Sequence, residues 1–476
     1  MLANLKNIAH LIRIARTLAR HDALFPVELL NIQTLTFIAR AVRRRRKDLT
    51  QGQRLAAAFT ELGPTFIKLG QGLSTRSDLI GENMAVELAV LQDNLPPFSS
   101  ETARNIIESQ LEVRLSDIFS QFDEQPVAAA SIAQVHFATL KNGDDVAVKI
   151  LRPNIAKRVA RDLQLFYWIA GLIEKRNPDY AERLKPVQVV ETLEETVKIE
   201  LDLRMEAASA SKLRENFVGW EGFYVPKIYW QHTASQVLVM ERVGGLKIND
   251  RKALQKSGFD PDEILRNSSQ ALFKQVFDDG FFHADLHPGN VFVNDRGEIV
   301  PIDFGIMGHV DLKSRAYVAE ILAGFLTRDY MKVARAHFNA GYVPKHKSIE
   351  AFALACRAVG EPVMDLPINE ISLARLLGQM FKVAEDFEMQ AQPHLLLLQK
   401  TMMMSEGVGR ALNPEVNMWK LAEPLVLKWV HENMGPKAKL QEVLENAQEI
   451  ALKIPEIIKK LDAYLDKELA RNSSAD

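Results

Sequence analysis

Two hydrophobic periods divide this chain. Through residues 1–50, Leu5, Ile8, Ile12, Ala15 and Ala19 recur at helical spacing, with Lys6, Arg13, Arg16 and Arg20 set among them. Residues 51–95 keep a helical pattern, entered through Gly63-Pro64, and Pro96-Pro97 marks a boundary. Ser99-Ser100-Glu101 predicts a helix start, with a serine N-cap and an acid in the first turn. The pattern then changes to strands. Val135 to Leu140 and Val146 to Leu151 flank an Asn142-Gly143 turn. Residues 155–176 and 187–217 predict helices, and Val225 to Trp230 and Gln236 to Met240 predict strands. From about residue 260 the chain is mainly helical, except for one hairpin. Its short strands, Val291-Phe292-Val293 and Ile299-Val300-Pro301-Ile302, enclose the turn Asn294-Asp295-Arg296-Gly297. The tail from Pro436 is charged and amphipathic, broken at Pro455.

Composition narrows the class. The chain has 476 residues, 47% hydrophobic and 25% charged, so it is globular and long enough for a sizeable core. A net charge of −2 gives no reason to expect nucleic acid. The single cysteine, Cys356, excludes an internal disulfide and a cysteine-based zinc site, and points to a reducing compartment. No apolar run reaches bilayer length: Leu395 to Leu398 and Met402 to Met404 are broken by Gln399, Lys400 and Glu406. Lys6, His10, Arg13, Arg16 and Arg20 rule out a secretory signal at the N-terminus.

The chemistry concentrates around the hairpin. His283-Ala284-Asp285-Leu286-His287-Pro288-Gly289-Asn290 precedes it, and Asp303-Phe304-Gly305 follows it. An Asp, an Asn five residues on, then Asp-Phe-Gly is the phosphoryl-transfer set of kinase-like enzymes. Asp285 can accept a hydroxyl proton or orient a water. Asn290 offers an amide oxygen to Mg²⁺, and Asp303 a carboxylate to the metal that bridges the phosphates. The hairpin would set Asn290 and Asp303 side by side.

Upstream, Val146-Ala147-Val148-Lys149-Ile150 matches the lysine strand of kinases. An ammonium inside a β-branched run needs an anion, either phosphate or carboxylate, unless it snorkels from an edge strand. Carboxylate candidates are Glu194, Glu195, Glu200, Asp202 and Glu206, with Asp202 and Glu206 one helical turn apart. In place of the glycine-rich loop of kinases stands Ala128-Ala129-Ala130-Ser131. Alanine reaches positive φ only at a cost, so this loop should cover a nucleotide by a different backbone path.

These pieces together resemble the UbiB family of atypical kinase-like proteins. Lys68-Leu69-Gly70-Gln71 matches the family's KxGQ motif, and Glu200-Leu201-Asp202 its ExD motif. The match continues through the alanine loop, Lys149, Glu206, the Asp285 loop, Asp303, Glu406-Gly407-Val408 and Leu412-Asn413-Pro414. It covers roughly residues 50 to 420. The resemblance implies an α+β, protein-kinase-like two-lobed fold with a small β-containing N-lobe and a mainly helical C-lobe. The implied boundaries are a helical extension over 1–97, the N-lobe over 98–243, the C-lobe over 244–435 and an amphipathic tail over 436–476. It further implies catalytic roles for Asp285 and Lys149, and Mg²⁺ on Asn290 and Asp303. ATP would contact Ala128, Ala129, Ala130, Ser131, Lys149, Glu206, Met240 and Glu241. Lys68, Gly70, Gln71, Glu200 and Asp202 would be regulatory, with the extension lying over the site and Lys68 restraining activity. Glu206 would be the partner of Lys149.

By the same resemblance, the activity is that of an atypical kinase or ATPase supporting ubiquinone synthesis at a membrane. Its partners would be prenylphenol or quinone-like lipids, an anionic membrane surface and other proteins of that pathway. The location would be the cytoplasmic face of the bacterial inner membrane, or the mitochondrion in a eukaryote. Two features depart from the family pattern. Many bacterial members end in membrane-spanning helices, which are absent before Asp476, so a truncated or peripheral form is expected. No Ala-Pro-Glu follows Asp303, so the usual peptide groove is not expected. The alternatives are a small-molecule phosphotransferase of the aminoglycoside- or choline-kinase type, whose loop is similar, and a kinase-fold scaffold. Lys68, Gly70, Gln71 and the alanine loop argue against the first, and intact Lys149, Asp285, Asn290 and Asp303 against the second.

The N-terminal arginines and the run Arg43 to Lys47 predict contact with anionic lipid, each near-surface cation contributing about 1 kcal/mol. Such an Arg-rich, acid-poor segment is also compatible with a mitochondrial transit peptide or with packing on the protein itself. In co-sedimentation, full-length protein should pellet with anionic but not neutral vesicles, and less so in high salt. Deleting residues 1–47 should weaken that binding. Unchanged sedimentation of the deletion would move the contact to the helices after Pro436.

Overall fold

The computed structural model describes residues 2–23, 49–74, 80–88, 91, 95–176, 185–366, 370, 373–389 and 393–435. Arg43 to Lys47 and the tail from Pro436 lie outside the described residues. Contacts divide the rest into two compact units. One holds the described residues up to 272, with 281–309 and 393–414; the other holds 273–280, 310–389 and 415–435.

In the first unit, α1 (Leu2–Arg20) is followed by α2 (Gln51–Leu62), α3 (Pro64–Ser74) and α4 (Glu82–Leu88). Thr50 and Gln53 form a capping box at the start of α2, each side chain answering the other's backbone N–H. Gly63, at φ 104°, turns the chain, and Pro64 starts α3 with its φ already helical. The apolar face of α1 is used inside the protein: Leu11, Ile14, Ala15, Leu18 and Ala19 are buried, while Arg13 and Arg16 stay exposed. Thr65 Oγ1 donates to buried Asp162 at 2.7 Å, and His10 Nε2 lies 3.4 Å from the same carboxylate.

Ser99 caps α5 (Ser100–Leu111), accepting from Thr102 N. After α6 (Leu115–Ile118) come β1 (Phe119–Phe122), β2 (Ala128–Ala129), β3 (Ala133–Leu140) and β4 (Asp145–Leu151). Then follow α7 (Ile155–Arg176), α8 (Pro186–Glu200), α9 (Leu203–Asn216) and β5 (Val237–Glu241). The sheet is antiparallel in the order β1-β3-β4-β5, with β2 on β3. One face is dry: Val146, Val148 and Ile150 of β4 pack with Ala103 and Ile107 of α5 and Val237 and Val239 of β5. Period-two alternation therefore turns Lys149 to the other face, opposite Val135 and Leu238.

Two expected elements differ. The stretch 187–217 is two helices, because Asp202 leaves helical geometry (φ −123°, ψ 96°) to cap α9 by accepting from Arg204 N. Asp202 and Glu206 therefore do not share a helical face. Val225 to Trp230 makes only one isolated bridge, Ile228 to Met240, and ends in a 3₁₀ turn at Trp230–His232. Pro226 has no N–H to give a ladder.

Next come β6 (Leu246–Lys247), α10 (Arg251–Lys256), α11 (Pro261–Phe273), a π-helical turn Lys274–Asp279 and β7 (Phe281–His283). The expected hairpin is β8 (Val291–Val293) with β9 (Ile299–Pro301), and β6 adds to it. A further pair, β7 with β10 (Met307–His309), was not legible in the pattern. The second unit is helical, with α12 (Leu312–Leu326), α13 (Tyr330–Asn339), α14 (Ile349–Gly360), α15 (Leu373–Asp386) and, after α16 (Pro393–Leu412) of the first unit, α17 (Met418–Met434). Its core joins Tyr330, Val333, Phe352 and Cys356, and burial pushes the Cys356 thiol up to about 12, so it is inert. Among the described residues, no helix is long and apolar enough to cross a membrane.

Gly70 on α3 is set by close packing. A Cβ there would lie 2.3 Å from Leu91 Cδ1 and 2.8 Å from Phe59 Cδ2. Overpacking costs about 1–3 kcal/mol, while Gly→Ala in a helix returns up to about 1 kcal/mol. Gly70→Ala should therefore lower unfolding stability by about 1–2 kcal/mol, read as a lower urea midpoint at unchanged slope. An equal or higher midpoint would mean that Leu91 and Phe59 yield freely.

Candidate active site

The site is assembled within the first unit. Lys149 Nζ lies 2.7 Å from Glu206 Oε1, in the first turn of α9, and 3.4 Å from Asp303 Oδ1. Burial works against the ammonium, but Asp303 and Glu206 outweigh it and hold Lys149 well above the usual lysine range. For the part-exposed Asp303, partial enclosure is outweighed by the Lys149 ammonium and the Gly305 N–H, with Lys68 adding its charge, and the carboxyl is held down at about 2. The carboxylate of Glu206 also receives the Phe304 N–H at 3.4 Å, tying α9 to the turn after β9.

The hairpin brings the two oxygen donors together. Asn294 Oδ1 accepts the N–H groups of Arg296 (3.0 Å) and Glu298 (2.9 Å), which closes the turn. Beyond the ladder, Ile302 N donates to Asn290 O at 3.0 Å, leaving Asn290 and Asp303 on neighbouring strand ends. His283 locks this arrangement. Its Nδ1 accepts from Asp285 N at 3.1 Å, so its Nε2–H is the donor to the Asp303 carbonyl. Burial holds the imidazole below its usual range, which suits this neutral form. Asp285 itself accepts from Lys400 Nζ of α16 at 2.8 Å.

The remaining sequence-selected residues divide. Lys68 Nζ pairs with Glu200 Oε2 at 2.9 Å, whereas Asp202 turns to Arg204 at 2.6 Å. Gln71 Nε2 donates to Leu91 O at 3.3 Å, holding α3 to the segment after α4. Ala128 and Ala129 form β2, opposite Val135 and Gln134, and Ala130 N closes the turn on Ala133 O at 2.8 Å. Arg152 fastens that turn by donating to Ala130 O (2.8 Å) and Pro96 O (2.9 Å); Ser131 is fully buried. Met240 lies across from Ala147 at the end of β5. The Glu241 carboxylate is taken by Tyr224 Oη (2.7 Å) and Lys227 N (2.9 Å), and its N–H donates to Lys227 O (2.8 Å), so neither group is open to a ligand.

Sequence reasoning missed Lys400, Arg152 and the strut role of His283. Lys400 did leave a signal, as a cation interrupting an apolar helix. Arg152 and His283 left none, since their partners are backbone atoms.

Removing the charge of Glu206 tests the triangle of Lys149, Glu206 and Asp303. Breaking a buried pair outright costs about 3–5 kcal/mol. Asp303 remains beside Lys149, so Glu206→Gln should cost less, about 1–3 kcal/mol. Chemical denaturation checks it; a parental midpoint would mean that Glu206 is a spectator.

Comparison with known proteins bears on family and fold. The model of the ABC1 atypical kinase-like domain matches residues 90–337, and that of the UbiB helical domain matches residues 356–417. An Aeromonas hydrophila protein named "Probable protein kinase UbiB" is 42% identical over 421 residues, 87% of this chain and 77% of that one. Proteins of the same name from Marinobacter nauticus and Pseudomonas aeruginosa are 44% and 40% identical, over 86% and 93% of this chain and 76% and 85% of theirs. Among solved structures, the erythromycin complex of a Mycobacterium tuberculosis protein has a TM-score of 0.56 at 24% identity, covering 77% of this chain and 93% of that one. That likeness concerns the fold alone, which is α+β and protein-kinase-like. The chain belongs to the UbiB family of ABC1 atypical kinase-like proteins.

Proposed function

We propose that this protein binds ATP with Mg²⁺ and hydrolyses or transfers the terminal phosphoryl group, in support of ubiquinone synthesis at a membrane. The observation that carries the reading is the buried Lys149 ammonium held between Glu206 and Asp303, with Asn290 beside Asp303. A buried ion pair adds little net stability over apolar packing, so its retention points to chemistry. Lys149 would meet phosphate oxygens, and the alanine turn at Ala128–Ser131 would lie over them. The Met240 side chain and the backbone carbonyl of Glu241 would meet the base.

Asn290 and Asp303 fit Mg²⁺. They are hard oxygen donors; the Asp303 side chain is 43% exposed, and the Asn290 side chain has no hydrogen bond among the described residues. No cluster of three or more His, Cys, Asp or Glu residues suited to a metal occurs among the described residues. Phosphate oxygens and water would therefore complete the shell, the usual arrangement for this ion. When bound, the metal neutralises phosphate charge. Asp285 would orient the attacking oxygen and take its proton.

The acceptor is expected to be small, water included. After Asp303 the chain runs directly into β10, which pairs back on β7, and then into α12. That path has no room for the long loop on which a peptide would dock. The prenyl-lipid and membrane parts of the reading rest on family membership and on the exposed Arg13 and Arg16.

Asp303→Asn should lose Mg²⁺-nucleotide binding, whereas Asp285→Asn should keep binding and lose turnover by about 10²–10⁴-fold, the usual contribution of a general base. Calorimetry with Mg²⁺-ADP and a phosphate-release assay read the two, with and without anionic vesicles and a prenylphenol. Equal nucleotide affinity in parent and Asp303→Asn would sink the assignment.

A further inference from the structure

A lysine outside every recognised motif is aimed at the acid proposed to work on the acceptor. Lys400 Nζ donates to Asp285 Oδ1 at 2.8 Å, with the side chains 29% and 30% exposed. The contact is not a flexible surface encounter. α16 is anchored by a buried stripe of Leu398, Thr401, Ser405, Val408 and Leu412, which fixes the neighbouring Lys400. Nor does stability account for it, because part-exposed ion pairs contribute little. The other two lysines near the site are otherwise engaged: Lys149 by Glu206 and Asp303, and Lys68 by Glu200. Among the described residues, Lys400 is the lysine paired with Asp285.

A cation there would assist phosphoryl transfer. As the terminal phosphorus leaves the diphosphate, charge is spread over its three equatorial oxygens, and groups positioned beforehand to meet that charge lower the barrier most. An ammonium in contact with the proton-accepting carboxylate lies within reach of those oxygens. Three N–H bonds let it hold Asp285 with one and the phosphoryl group with another.

We infer that Lys400 is a catalytic residue of the proposed reaction, bridging Asp285 and the transferred phosphoryl group of a nucleoside triphosphate; this rests on the reading of the site as a phosphoryl-transfer centre. In the step itself, the bond from the terminal phosphorus to the bridging diphosphate oxygen breaks. A bond from the acceptor oxygen to phosphorus forms, and the acceptor proton passes to Asp285 and then to solvent. Lys400 remains protonated throughout.

The test compares ATP turnover in the parent, Lys400→Met, Lys400→Arg and Asp285→Asn, with Mg²⁺-ADP calorimetry as the measure of an intact site. Lys400→Met should lower kcat by about 10²–10³-fold with KM and Mg²⁺-ADP affinity little changed, and Lys400→Arg should recover part of the loss. ATPγS distinguishes contact with the phosphoryl group from mere support of Asp285: sulfur on that group should slow the parent more than Lys400→Met. An equal thio effect in both would reduce Lys400 to a positioning residue and overturn the inference. So would parental or faster turnover in Lys400→Met, the latter making the pair a brake. If Lys400→Met does not fold, Lys400→Gln carries the same comparison. A parent that turns over ATP, fails as Asp285→Asn and is indifferent to Lys400 sinks this inference alone; a parent without ATP turnover sinks the underlying reading with it.

Discussion

A buried ammonium that must find two carboxylates organises this protein. Lys149 points from the wet face of the sheet into a site where water cannot fully solvate it, and an unpaired charge there would be prohibitive. Its partners come from distant parts of the chain, Glu206 from α9 and Asp303 from the turn after β9. Three elements must therefore converge before the lysine can be buried. The Phe304 N–H on Glu206 and the His283 bond to the Asp303 carbonyl then brace the acids against each other. The site is thus built from groups whose own hydrogen bonds hold them, which is what preorganised electrostatics requires.

The break between α8 and α9 shows how one local rule serves two sites. Glu200 closes α8, Asp202 caps α9, and Glu206 lies in its first turn. Because Asp202 caps rather than continues the helix, the two glutamates point to different lysines, Glu200 to Lys68 and Glu206 to Lys149. The N-terminal helices are in this way tied to the same stretch that supports Lys149. Gly70 and Gln71 hold α3 in place beside it, one by allowing close approach to Leu91 and the other by bonding its carbonyl.

Legibility followed the range of the interactions. The strands, the Asn294 turn, the Ser99 cap and the pairing of Asn290 with Asp303 depend on neighbours in sequence, and their residues announce them. The partner of Lys149 does not: five acids were open on residues alone, and only the family match singled out Glu206. The helix break was hidden because Asp202 satisfies helical periodicity as well as it satisfies a cap. The strand expected over Val225 to Trp230 failed on Pro226, which removes a ladder donor. β7 with β10 went unread because strands of three residues carry too little periodicity. The face of α1 illustrates a different limit, since an amphipathic pattern states that one side is covered without stating by what.

The geometry around Asp285 bears on what the site can accept. A kinase that phosphorylates peptides needs an open acid and an extended surface beside it. Here the acid is already in contact with Lys400, the chain after Asp303 is drawn at once into β10, and Lys68 brings a second cation near Asp303 from the N-terminal helices. Each feature narrows the approach without removing any group that the chemistry needs. The smallest nucleophile would meet all these constraints at once: a water, needing no docking surface, could reach a phosphoryl group held, as proposed, between Lys149 and Lys400. Under the proposed reading hydrolysis would be the default outcome, because transfer to a larger acceptor would need a docking surface that the short path from Asp303 into β10 does not supply.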